Sequence, residues 1–251
     1  MDRKMGNPEK KPIVFISNLT PEWLESGLRL AACGIERDPW KEQMVEIIGQ
    51  TSKGAENIRK SLRYLRHIYI EPTEFTELRA EAFNLYNSST ELKREKIISW
   101  GLAILTYPFL NEVSATLGRL LRVQNDVKLE QFIRKLTDTY GEKETVVRSG
   151  TRCLKLIVEE GFLLRSSLGF YSLPPTLKIQ DEKLAAWLLK IWFILNSNQS
   201  PADRTALSNH PALVFFDAPS LIEAGLRTGA VSLDRMSFSQ DTIVLNKPTS
   251  N

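Results

Sequence analysis

Three cations recur along one short stretch of the chain, Arg148, Arg152 and Lys155, spaced four and three residues apart. That interval places them on one face of an α-helix. The opposite face takes Val146, Gly150, Cys153, Leu154 and Ile157, an apolar stripe that explains why the helix folds. The chemistry open to such a basic face is anion recognition. Cations meet phosphates, and a guanidinium also reads O6 and N7 of guanine bidentately. Lys143, Thr145, Ser149 and Thr151 flank the face with further hydrogen-bonding groups, and the acids stand outside it, at Glu142, Glu144, Glu159 and Glu160. A second stretch repeats the pattern. Arg59, Arg63 and Arg66 share a face with Lys60 nearby, and Glu56 is the only acid between Lys53 and His67.

The elements needed to position the first face are legible around it. A helix over 129–140 offers Leu129, Phe132, Ile133 and Leu136 as its packing stripe, and the turn Gly141-Glu142-Lys143 leads into the basic helix. That is helix-turn-helix spacing. Gly161 ends the basic helix. Two β-like runs, 162–165 and 170–173, then form a hairpin with Arg165, Ser166 and Ser167 near its tip. In this order the segment predicts a winged helix-turn-helix. Upstream, apolar residues at helical spacing predict six helices: from Pro21, from Asp38-Pro39, over 52–69, about 73–86, 91–107 and 109–123. Downstream, a helix over 181–196, another over 220–228 and two alternating runs near 230–245 predict a helical and short-strand region. The expected fold is mainly α. A disordered tail covers 1–12, a helical domain 13–124, the winged segment 125–175 and an α+β extension 176–251. Pro12–Ser17 reads as a short strand or packing arm.

Composition narrows the function classes. The 251 residues carry 33 Lys plus Arg against 30 Asp plus Glu, a net charge of +3 that permits a nucleic-acid partner without demanding one. No apolar run approaches the ~20 residues of a membrane span. The N-terminal MDRKMGNPEKKP lacks the apolar stretch of a secretory signal, and the two cysteines read as free buried thiols of a cytoplasmic protein. The two histidines, His67 and His210, have no ligand-spaced partners. No phosphate-binding glycine loop, nucleophile elbow or zinc-protease motif occurs. The expectation is a protein without catalytic residues, metal or cofactor.

The segment WGLAILTYPFLNEVSATLGRLLRV and the ending GEKETVVRSGTRCLKLIVEEGFL, within about Glu91 to Leu163, resemble the BrxA-type DNA-binding proteins of bacterial phage-exclusion (BREX) systems. The resemblance rests on architecture, and the region beyond about Pro174 has no counterpart in it. It implies a bacterial cytoplasmic protein that binds double-stranded DNA and works with larger defence enzymes. Two alternatives stand beside it, a transcriptional regulator and a protein-interaction subunit. The latter would dock a partner, or a second copy, through its winged helix and the stripe Trp187, Leu188, Ile191 and Trp192.

Overall fold

Thr20 and Pro21 start the first described helix as their types dictate. The Thr20 hydroxyl accepts a hydrogen bond from the Trp23 amide, and proline fills the first helical position. The computed structural model describes residues 18–71, 74–196, 201–234 and 241–246, so the expected tail and the run Pro12–Ser17 lie outside the described residues. Among the described residues are eleven α-helices and two small three-stranded antiparallel sheets.

The first six helices are α1 (Pro21–Ala32), α2 (Arg37–Thr51), α3 (Ala55–Tyr69), α4 (Thr76–Ser88), α5 (Arg94–Thr106) and α6 (Pro108–Leu121). Helix α5 starts later than residue 91, because the Ser89 hydroxyl accepts from the Glu91 amide and closes a turn there. Pro108 separates α5 from α6, as its missing amide requires. Cys33 caps α1 and is exposed, which corrects its reading as a buried thiol. The helix ends at Ala32, and Cys33 sits in the exposed turn before Gly34. Cys153 is buried.

Helix α5 is apolar on all sides and every residue from Ile97 to Leu105 is buried, the mark of a central helix. It packs against α1, α3, α4, α6 and the later α9 (Glu182–Leu195). Gly101 makes the last contact close. A Cβ at this position would lie 2.5 Å from the Trp187 ring. Trp187, Leu188, Ile191 and Trp192 are all buried, so the apolar stripe proposed above as a docking surface is core. The Trp187 indole donates to the Leu78 carbonyl of α4 at 2.9 Å. Arg79 of α4 is buried as well. It donates to the Ile68 and Glu74 carbonyls and to the Thr106 hydroxyl, tying together the ends of α3 and α5.

The middle segment runs β1 (Asp126–Lys128), α7 (Leu129–Tyr140), α8 (Glu144–Glu159), β2 (Leu164–Arg165) and β3 (Phe170–Ser172). Sheet order is β1-β3-β2, with Val127 opposite Tyr171 and Leu164 opposite Ser172. Strand β1 is absent from the sequence reading; three residues carry too little alternation to be seen alone. Gly161, at φ +68°, lets the Phe162 amide return to the Ile157 carbonyl and stops α8.

Helix α9 opens the last region, followed by β4 (Ala202–Asp203), α10 (Arg204–Ser208), a 3-10 turn at Pro211–Leu213, α11 (Ala218–Arg227), β5 (Val231–Asp234) and β6 (Thr242–Leu245). The second sheet has the order β4-β6-β5. His210 is half-buried here. Its Nδ1 accepts from the Trp192 indole at 3.0 Å and from the Ala212 amide, and burial lowers its pKa to about 4. One apolar cluster joins all regions. Phe162, just past α8, stacks on Phe215 at 5.3 Å and lies 4.8 Å from Trp100 of α5.

Candidate nucleic-acid interface

Helix α8 is held by α6 and α7, which cover its apolar side. Val146, Gly150, Cys153, Leu154 and Ile157 are buried as the spacing predicts, but so are Ser149 and Leu156. Two covering helices widen the buried arc beyond what one would require. Ser149 is fully buried and cannot meet a duplex, which corrects its place among the contact residues.

The exposed arc of α8 carries Glu144, Thr145, Val147, Arg148, Thr151, Lys155 and Glu159, with Lys143 exposed at its N-cap. Its charges are paired along the helix. Arg148 meets Glu144 at 2.5 Å and Lys155 meets Glu159 at 3.5 Å, both one turn apart. All four side chains are solvated, so these pairs are weak and open to a competing phosphate.

Arg152 lies at the edge of this arc, turned toward α3. Burial, then the like charge of Arg148, hold its pKa below the usual guanidinium value. Here the two basic faces meet. Arg152 and Lys60 line one small cleft with Trp23 of α1 and Tyr64 of α3. On α3, Arg59 and Lys60 both reach Glu56, at 2.7 and 3.4 Å, and Arg63 lies over the Tyr64 ring. Arg66 differs from them. It is bound to Glu71 at 2.8 Å, a carboxylate that also holds Arg37, and it belongs to this ion-paired corner rather than to the open face.

In the hairpin Arg165 is exposed over the Tyr171 ring. Lys128, on the far edge of the same sheet, lies over the Phe170 ring at 5.0 Å. Sequence reasoning missed Lys128 because it missed β1; the signal available was the triplet Asp126-Val127-Lys128, whose middle residue alone is buried. The hairpin tip also exposes Leu168 at 81% and Leu164 at 53%.

Behind the end of α8 lies a different polar group. Glu160 is 3% exposed, and its Oε1 has no hydrogen-bond partner among the described residues. Burial raises its pKa to about 8, opposed by the Lys96 ammonium and reinforced by Glu25 and Glu159. Lys96 sits 4.6 Å over the Phe162 ring, its own pKa lowered by burial. Among the described residues no cluster of His, Cys, Asp or Glu could hold a metal ion, and no helix is long and apolar enough to cross a membrane. No protein-family model, no curated protein and no solved structure matches this chain.

Proposed function

We propose that the chain is a non-enzymatic, double-stranded DNA-binding protein and that the segment from β1 to β3 is a winged helix-turn-helix. One observation carries the reading: a strand, two helices and a hairpin close into a sheet of order β1-β3-β2, which leaves α8 with a solvated cationic arc. Thr145, Arg148, Thr151 and Lys155 are the groups for a groove, Lys143 lies at the helix start, and Arg165 and Lys128 extend the surface through the wing. Arg59, Lys60 and Arg63 of α3 prolong it toward flanking phosphates. A role beside larger anti-phage defence proteins follows only from the BrxA-type resemblance.

Fluorescence anisotropy with a short duplex across about 50 to 200 mM salt tests this reading. Replacing Arg148 and Lys155 with Gln should lower the log–log salt slope by about 1.8, at about 0.9 per lost phosphate contact. A wild-type protein that binds no duplex at low salt, or a variant with an unchanged slope, refutes it. A second reading, a subunit that docks a partner protein, is favoured by Leu164 and Leu168 of the hairpin and Val147 of α8, large apolar side chains left exposed. A complex with a partner protein that persists at high salt without DNA would decide for it.

A further inference from the structure

The hairpin between β2 and β3 ends in a turn whose shape is fixed by its own hydrogen bonds. The Ser166 carbonyl accepts from the Gly169 amide at 3.0 Å, and the Ser166 amide donates to the Phe170 carbonyl at 2.9 Å. The Ser166 hydroxyl accepts from the Phe170 amide at 3.2 Å. Gly169, at φ +76°, is the left-handed residue that follows such a turn in a hairpin loop. Ser167 and Leu168 are thereby held at the tip.

Leucine is an odd choice for that position. Turn tips favour Gly, Pro, Asn, Asp and Ser, each for a backbone reason that leucine does not share. Ser166 and Gly169 make the turn without it, and an 81% exposed side chain adds nothing to the core. The fold does not account for Leu168.

The charges near the tip are of one sign. No carboxylate occurs between Glu160 and Asp181. Arg165 stands opposite Tyr171 and Lys128 opposite Phe170, at the end of the sheet nearest the turn. Cross-strand partners point to the same side, and successive residues of a strand point to opposite sides. The two cations therefore lie on opposite faces of the hairpin, each over the ring of its partner. Asp126, the acid of this sheet, pairs with Ser172 at the end away from the turn. An apolar tip with a cation on either face matches a slot that is apolar within and anionic along both rims. The minor groove of a duplex is such a slot, about 6 Å wide between two phosphate strands.

We infer that Leu168 is a wedge that enters the minor groove of duplex DNA and parts a base step, with Arg165 and Lys128 against the two flanking phosphate strands. The inference rests on the DNA-binding reading above and adds to it a bent complex. An apolar side chain inserted at a base step unstacks it and kinks the duplex by about 20–90° toward the major groove. Pyrimidine–purine steps such as TA kink and unstack most easily, so the tip favours TA without reading a base edge.

The test uses the full chain and two readouts beside affinity. One is the fluorescence of 2-aminopurine placed next to a TA step in a short duplex, which brightens when the step is unstacked. The other is ligase circularisation of a duplex shorter than the persistence length of about 150 base pairs, which needs a bend. Wild type should brighten the probe and raise the yield of circles by roughly tenfold or more. Leu168→Ser puts a turn-favoured residue at the exposed tip. It should lose both signals and bind more weakly, with an unchanged salt slope, because no phosphate contact is removed. Leu168→Met should restore both signals. A wild type that binds the duplex but neither brightens the probe nor circularises DNA overturns the wedge and leaves the DNA-binding reading standing. So does a Leu168→Ser protein that gives both signals as wild type does. A partner-protein complex lost on Leu168→Ser, with the DNA signals unchanged, overturns the wedge too and gives Leu168 to the docking reading. If wild type binds no duplex at low salt, the DNA-binding reading fails and the wedge fails with it.

Discussion

Replacing Glu160 with Gln should reshape the pH dependence of stability. The Glu160 carboxyl ordinarily titrates at 4.5, and burial in the folded chain raises this to about 8. Its contribution is therefore fully present below pH 4.5 and is lost as pH rises toward 8, because the unfolded chain releases a proton that the folded chain must keep. At 1.36 kcal/mol per pH unit the whole loss is about 5 kcal/mol. His210 has the opposite sign. Its pKa falls from 6.5 to about 4, so its contribution is present above pH 6.5 and is lost as pH falls toward 4. The two slopes oppose each other between pH 4.5 and 6.5 and leave Glu160 alone from 6.5 to 8, where stability should drop by about 2 kcal/mol. Gln keeps the shape of the protonated carboxyl and cannot ionise. The variant should be more stable than wild type above pH 8 and should uncover the acid limb of His210, a fall in stability as pH drops from 6.5 to 4. Urea midpoints at a series of pH values, compared at constant m, measure both limbs. Parallel profiles for the two proteins would refute the placement of Glu160 as a buried acid facing Lys96, Glu25 and Glu159.

Three further outcomes follow from contacts already described. Glu144→Gln with Glu159→Gln frees Arg148 and Lys155 from their intrahelical partners, and should tighten duplex binding about tenfold at low salt while steepening the salt slope, read by anisotropy. Gly101→Val drives side-chain atoms into the Trp187 ring and should lower the urea midpoint by the equivalent of about 3 kcal/mol or prevent folding. Arg79→Met removes the donors to the buried Ile68 carbonyl, the Glu74 carbonyl and Thr106, and chemical denaturation should show a loss of about 3 kcal/mol.

Helix α8 was legible because its signal is local: cations and apolar residues alternate at 3.6 spacing and a glycine ends the pattern. Ser149 was misplaced because the width of the buried arc depends on how many neighbours cover the helix, and the spacing counts only one. Strand β1 escaped because its partner, β3, lies far along the chain and its own three residues say little. The small cleft shared by α1, α3 and α8 had no sequence signature. Trp23, Lys60 and Arg152 each sit in a helix with its own reason for existing, and only tertiary packing makes them neighbours. The Trp187 stripe shows the converse. Its helical spacing is plain in the sequence, but that it meets core depends on tertiary packing, with Gly101 on α5 leaving room for the Trp187 ring.

The position of α9 has a consequence for synthesis. The ribosome delivers α1 to α8 first, yet α4 and α5 present the faces that α9 covers. Until Leu195 has emerged, the notch at Gly101 is empty and the apolar side of α5 is wet. The nascent chain therefore carries an open hydrophobic flank until α9 arrives, the kind of surface that chaperones hold. Helix α9, later in the chain, closes over helices that leave the exit tunnel before it.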